Sequence, residues 1–117
     1  MLILVTGDRN WNDEQCIYDA LASYQGDHTL IHGAARGADT IATNAAKLLG
    51  WGIVAFPANW AAYGRAAGPL RNQEMLETGP DLVIAFHPDL TKSKGTRDMV
   101  TRARRAGIRV IHYTGRN

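Results

Sequence analysis

Leu30-Ile31-His32-Gly33-Ala34-Ala35-Arg36-Gly37-Ala38-Asp39-Thr40-Ile41-Ala42 is the stretch from which the fold can be read. An apolar run stops at His32, two glycines four positions apart follow, and an alanine-rich segment with helical spacing begins. A strand that ends in a glycine-bearing turn and feeds a helix places unpaired first-turn N–H groups, and the positive end of the helix dipole, at the strand's carboxyl end. Anions bind at such places. The spacing is neither G-x-G-x-x-G nor a Walker loop, so its meaning depends on what lies at the other strand ends.

Working outward, the same unit recurs. Leu2–Val5 is a continuous apolar run, which reads as a strand covered on both faces. Thr6–Trp11 is a polar loop, Asn12 or Asp13 caps a helix, and Ile17, Ala20, Leu21 and Tyr24 give that helix one apolar face. Thr29–His32 is the second strand. Ile41, Ala45, Leu48 and Leu49 form the expected buried stripe of the next helix, and Gly52–Phe56 is the third strand. Pro57–Gly68 reads as the longest irregular stretch, with Pro69 in the first turn of a helix reaching about Thr78. Asp81–Phe86 is the fourth strand. Gly95-Thr96 opens a helix with Met99, Val100, Ala103 and Ala106 inward, and Ile108–Tyr113 is the fifth strand. Thr114–Asn117 reads as a frayed tail. Five alternations with short connections argue for one α/β domain over residues 1–117. The expected architecture is Rossmann-like and three-layered, with a five-stranded, mostly parallel sheet and helices on both faces.

Composition narrows the classes. The chain has 117 residues, 45% hydrophobic and 21% charged, with a formal net charge of +2, as for a globular domain with a modest core. No apolar run is long enough to span a bilayer, and Met1–Val5 has no basic leader. The single cysteine, Cys16, has no internal partner, so a cytoplasmic location is expected. His28, His32, His87 and His112 lack ligand spacing, so no metal is expected. Ten of the thirteen basic residues are arginine, whose planar fork suits phosphate.

In a sheet of this kind ligands bind beyond the carboxyl ends of the strands. The loops there offer Gly7, Arg9, Gly33, Ala34, Gly37, Asp39, Trp60, Arg71, Asn72, Gly95 and Thr96, and these are the candidate ligand-binding residues. The glycines let a ligand approach the backbone, and the turns after His32 and before Thr96 offer N–H groups to a phosphate. Arg71 neutralises charge. Asp39 serves either the helix dipole or a ribose hydroxyl, and Thr96 is a helix cap whose groups also reach phosphate. Trp60 and Tyr63 either stack on a base or close the loop over the core. His32 reads as a hydrogen-bonded structural histidine. Asp98 and Arg102 are spaced for an i,i+4 ion pair. Arg97, Arg104 and Arg105 lie on the outer face of the last helix; the default there is a solvated face, with a weak nucleic-acid patch as the minor reading. Trp51 and Leu90, taken as outer-face residues, leave a homo-oligomer open.

These patterns resemble the YspA/YpsA-related branch of the SLOG superfamily. The motifs that carry the likeness are Thr6-Gly7-x-Arg9-x-Trp11, His32-Gly33-x-x-x-Gly37-Ala38-Asp39, Pro57-x-x-Trp60-x-x-x-Gly64, Ala67-Gly68-Pro69-x-Arg71-Asn72-x-x-Met75 and Lys94-Gly95-Thr96-x-Asp98-Met99-Val100. The superfamily also holds the DprA DNA-processing proteins and the LOG nucleotide phosphoribohydrolases, and many members of the branch occur in bacteria and their phages. The resemblance implies a Rossmann-like fold and a nucleotide or nucleotide-derived ligand, and it points to no certain cofactor besides. Arg71-Asn72 matches the Arg-Lys pair of the LOG enzymes with the lysine replaced. Met99 stands where those enzymes carry their catalytic glutamate, and Asp98 is one residue, about 100 degrees of helix, away from it. The expectation is therefore a nucleotide-binding protein without the hydrolase chemistry. The alternatives are a nucleoside-monophosphate N-glycosidase using Arg71 and Asp98 as catalytic residues, and a DNA-associated accessory protein.

Overall fold

The computed structural model describes residues 1–115. Its strands are β1 (Leu2–Gly7), β2 (Thr29–His32), β3 (Gly52–Ala55), β4 (Leu82–Phe86) and β5 (Arg109–Tyr113). The helices are α1 (Glu14–Ala22), α2 (Ala38–Leu48), α3 (Trp60–Tyr63), α4 (Ala67–Glu77) and α5 (Gly95–Arg105). The strands form one sheet in the order β3-β2-β1-β4-β5, and every neighbouring pair is parallel. The chain builds outward from β1 to β3, then crosses to the other side of β1 to lay down β4 and β5. The order thus reverses between β1 and β4, which in open parallel sheets opens a crevice at the strand carboxyl ends.

Strand periodicity divides the core in two. Ile3, Val5, Leu30, Leu82, Ile84 and Phe86 face α1 and α2 and pack with Ile17, Leu21, Ala42, Ala46, Trp11 and Trp51. Leu4, Ile31 and Val83 face α4 and α5 and pack with Met75, Met99 and Ala103. The central strands β1 and β4 are covered on both sides, hence their unbroken apolar runs.

Several sequence expectations are corrected here. The buried face of α2 is Ala38, Asp39, Ala42, Ala45 and Ala46, while Leu48 is 78% exposed. Small side chains let this helix lie close on the sheet, so alanine rather than leucine marks its inner face. Pro57–Gly68 is not irregular: Asn59 caps the short helix α3 by accepting from the Ala62 N–H at 3.1 Å, a 3-10 turn (Gly64–Ala66) follows, and α4 begins at Ala67. Trp51 is buried, edge-on to His28 at 5.0 Å, and contributes nothing to an outer face. Ala106 is the exposed C-cap of α5. Of the tail expected to fray, a Cβ at Gly115 would touch the Trp11 ring, so that residue packs; Arg116 and Asn117 lie outside the described residues. Among the described residues no helix is long and apolar enough to cross a membrane.

Candidate functional site

The loop after β1 is fastened to the N-terminus of α2. The Asp8 carbonyl accepts from the N–H groups of Trp11 and Ala38, both at 3.1 Å, and the Asp8 N–H donates to the Phe86 carbonyl at 2.8 Å. The closeness explains two glycines. A Cβ at Gly7 would overlap the Phe86 carbonyl and the Ala38 methyl, and one at Gly37 would enter the backbone of Asp8 and Arg9. Gly37 also has φ +74°, the left-handed region that glycine tolerates. Both glycines serve backbone packing, and Arg9 is exposed on the loop they shape.

The turn after β2 is built around a buried carboxylate. Asp39 is 6% exposed, and its Oδ2 accepts from the N–H groups of Gly33 at 3.0 Å and Ala35 at 3.3 Å. The N–H between them, of Ala34, donates to Nδ1 of His32 at 3.0 Å. Ala34 has φ +57°, the one non-glycine residue with positive φ among those described, a conformation that is strained for a residue with a Cβ. These bonds correct one expectation: the three N–H groups after His32 are engaged within the chain in this conformation. Asp39 is neither a simple dipole charge nor exposed to a ribose; it gathers the turn. Burial pushes its carboxyl up to about 6, against the pull of the Ala35 and Gly33 N–H groups and of the Arg71 charge. His32, buried and also near Arg71, is pushed below the usual histidine range, first by burial and then by that charge. With Nδ1 accepting, His32 is the neutral tautomer with its proton on Nε2.

Two consecutive residues of α4 join this turn to the start of α5. Arg71 Nη1 donates to the Gly33 carbonyl at 2.5 Å and to the Phe56 carbonyl at 3.4 Å, and Nε donates to Asn72 Oδ1 at 3.1 Å. Asn72, 3% exposed, donates from Nδ2 to the Gly95 carbonyl at 3.2 Å and to Asp98 Oδ2 at 2.9 Å. A guanidinium carries five N–H groups; among the described residues Arg71 Nη2 has no partner. The cation is half-buried, and desolvation lowers its proton affinity although Asp39 opposes this. A cation so placed gains from an anion that reaches the two remaining donors.

The expected i,i+4 pair is present: Arg102 Nε meets Asp98 Oδ2 at 2.9 Å, while Arg102 Nη1 donates to Gln73 Oε1 at 2.9 Å. Asp98 is thus a brace between α4 and α5. Met99, at the position of the LOG glutamate, is fully buried among the α4 and α5 side chains. Thr96 does not cap its helix; it is buried in the first turn, and its N–H donates to Ser93 Oγ at 3.0 Å. Gly95 is exposed at the rim.

Beyond β3, Pro57, Asn59, Tyr63, Ala67, Leu70, Arg71 and Glu74 line a groove of about 200 Å³. Trp60 and Tyr63 are 59% and 58% exposed, so neither closes over the core; the Trp60 ring edge lies against Gly68. Gly33, Asp39, Arg71, Asn72 and Gly95 therefore share one connected cluster at the carboxyl edge of the sheet. Gly7, Arg9 and Gly37 form the adjoining wall, and Trp60 stands at the outer end beside the groove. His32 is the hydrogen-bonded structural histidine expected, whereas sequence reasoning missed Gln73 as a partner of Arg102 and the strain at Ala34. Only Gln73 had a local signal, its place beside Arg71-Asn72 on the helix.

Comparison with known proteins bears on the family and the fold. The YspA, cpYpsA-related SLOG family matches residues 1–63. The Gene 61 protein of Mycobacterium phage D29 is 39% identical over 124 residues, covering 95% of this chain and 94% of the phage protein. Among solved structures, DNA processing protein A (DprA) from Streptococcus pneumoniae superposes with a TM-score of 0.78 at 18% identity. That alignment covers 97% of this chain and 50% of the DprA chain, so the chain spans half the length of that neighbour, and the likeness is one of fold. The match over the first three strands and the full-length phage relative place the chain: it belongs to the YspA, cpYpsA-related SLOG family.

Proposed function

We propose that this domain binds a nucleotide or nucleotide-derived molecule at the carboxyl edge of its sheet, with the phosphate on Arg71. The observation that carries this reading is the Arg71-Asn72 pair, which ties the Gly33 and Gly95 carbonyls to one helix across the switch in strand order. Arg71 keeps two donors in a partly desolvated setting beside the groove it lines, where a charge-assisted hydrogen bond to phosphate is strong. The N–H groups of Gly33, Ala34 and Ala35 act indirectly, holding the turn that presents Arg71. Gly95 and the first turn of α5 form the far wall, and Trp60 and Tyr63 offer stacking surfaces outside the groove.

Base-releasing chemistry is the weaker reading, because Asp98 Oδ2 is shared between Asn72 and Arg102 and the neighbouring Met99 is core. Titration calorimetry against nucleoside mono-, di- and triphosphates and cyclic or ADP-ribose-type derivatives tests the proposal. Saturable binding that weakens at least tenfold in Arg71→Ala is expected. Silence across the panel, or an Arg71→Ala variant that binds as the parent does, overturns it.

A further inference from the structure

The charge of this chain is divided along its length. Residues 90–113 hold seven of the thirteen Lys and Arg residues and one acid, Asp98, for a net formal charge of +6. Residues 1–89 hold five bases and ten acids, a net of −5. A chain of nearly balanced charge thus carries one strongly basic element on an acidic body. The structure concentrates that charge further. At about 100 degrees per residue, Lys94, Arg97, Thr101, Arg104 and Arg105 fall within roughly 100 degrees of the α5 circumference, and all five are exposed. Arg109, also exposed, opens the neighbouring edge strand β5 but shares the sheet face of Ile111 and Tyr113, away from α5, so it stands apart from the stripe. Among the described residues the one ion pair is Arg102–Asp98, so the stripe cations have no carboxylate within pairing distance.

Ordinary helix electrostatics explains only part of this. Arg104 and Arg105 lie in the last turn, where a cation favours the dipole. Lys94 is the N-cap and Arg97 lies in the first turn, where a cation opposes the dipole. The dipole therefore leaves the cations at the N-terminal end of the stripe unexplained. We infer that the exposed face of α5, from Lys94 to Arg105, binds a nucleic-acid backbone without reading its bases. The stripe is about 16 Å long, enough to meet several successive phosphates. Arginine dominates it, and arginine grips phosphate bidentately. A membrane surface fits poorly, because the apolar residues of α5, Met99, Val100 and Ala103, are all buried in the core, leaving none to enter lipid. This surface is separate from the Arg71 cluster, and the inference stands apart from the nucleotide reading.

The test is fluorescence anisotropy of the full chain with labelled single-stranded and duplex oligonucleotides of mixed sequence, titrated between 50 and 200 mM salt. Engaging four phosphates gives a slope of log K against log[salt] of about −2.8 on single strands and −3.6 on duplex. Affinity then falls roughly 50- to 150-fold over that salt range. The variant R97Q/R104Q/R105Q keeps helix-forming residues, and its circular dichroism and melting report the fold. It is expected to bring the slope to about −1, whereas K47Q/R65Q, with the same assay, leaves it unchanged. Absence of binding at 50 mM salt refutes the inference, as does equal loss in K47Q/R65Q. Salt-sensitive self-association of the free protein that the triple variant abolishes, without oligonucleotide binding, also refutes it and assigns the stripe to a second copy.

Discussion

Replacing Asp39 by asparagine isolates a carboxyl whose charged form burial disfavours. The carboxyl is 6% exposed and its titration is raised from 3.8 to about 6. At about 1.4 kcal/mol per unit, the charged form destabilises the native state by about 3 kcal/mol at neutral pH. The sign follows from proton binding. Between the unfolded and folded values the native state holds the proton and the unfolded chain does not, so stability falls as pH rises through that window and is level above it. The substituted amide keeps an oxygen to accept from the Gly33 and Ala35 N–H groups but carries no charge at any pH. It brings its own constant term, since its NH₂ group needs partners the carboxyl does not.

That constant term cancels when the two proteins are compared at two pH values. Urea unfolding of parent and Asp39→Asn at pH 4 and pH 7.5, at fixed ionic strength, therefore reads the carboxylate alone. The stability of the variant relative to the parent is expected to rise by about 2 kcal/mol between the two conditions. With m of roughly 1–3 kcal/mol/M the gap between midpoints moves by about 1–2 M. A gap constant to within about 0.5 kcal/mol refutes the reasoning. A gap that moves the other way shows that Arg71 and the two N–H groups outweigh burial.

Gly37→Ala combines φ +74° with overlap on the Asp8 and Arg9 backbone; it is expected to lower stability by more than about 2 kcal/mol, whereas Gly50→Ala, at φ +75° in open space, loses about 1. Thermal melting of the two variants side by side checks the difference. Asn72→Ala removes the donors to Gly95 and Asp98 and is expected to lower stability by about 2–3 kcal/mol. In a double-mutant cycle with Asp98→Ala it should show coupling of about 1 kcal/mol, and strict additivity would contradict the bridge. Cys16 is pushed above the usual thiol range by burial first and by Asp13 and Asp19 next, so iodoacetamide should label it more slowly than a free cysteine peptide at pH 7.5. Nucleoside monophosphates incubated with the parent protein should release no free base; release abolished by Asp98→Asn would restore Asp98 as a catalytic residue.

The strands were the most legible part of the chain, because a doubly covered strand writes itself as an unbroken apolar run such as Leu2–Val5. Helix faces were less so. Leu48 looks like part of the inner stripe of α2 but is exposed; of the expected stripe Ala45 is buried and Ile41 and Leu49 pack partly buried against the core, while the closest approach to the sheet is made by Ala42, Ala45 and Ala46, and closeness of approach is not a property of hydrophobicity alone. The short helix α3 had a readable cap in Asn59 and no room for a second turn to make its periodicity visible. At the site, the glycines and Arg71 were legible because special backbone geometry and anion chemistry restrict residue choice. The role of Asp39 was not, since it depends on the left-handed Ala34, and alanine is not a residue whose presence announces that conformation.

Where the fold departs from ordinary rules, it does so around one residue. Ala34 is strained, Asp39 is a buried carboxylate, and Arg71 is a half-buried cation with no carboxylate within pairing distance among the described residues. All three touch or flank Gly33: its N–H donates to Asp39, its carbonyl accepts from Arg71, and a Cβ there would overlap the guanidinium. Any one of these could be relieved by a substitution that leaves the core untouched, so their coincidence in a single turn is not explained by folding. Strain and desolvated charge collected at a strand's carboxyl end support the proposal that this turn serves an anion. A phosphate on Arg71 would stabilise the cation and, as a second negative charge nearby, raise Asp39 further, so that ligand binding takes up a proton near neutral pH. Calorimetry with a phosphodiester ligand, which does not itself titrate near neutral pH, in buffers of different ionisation enthalpy should therefore show proton uptake in the parent that is lost in Asp39→Asn; equal buffer dependence in the two would separate Asp39 from the ligand and leave its burial a matter of the fold alone.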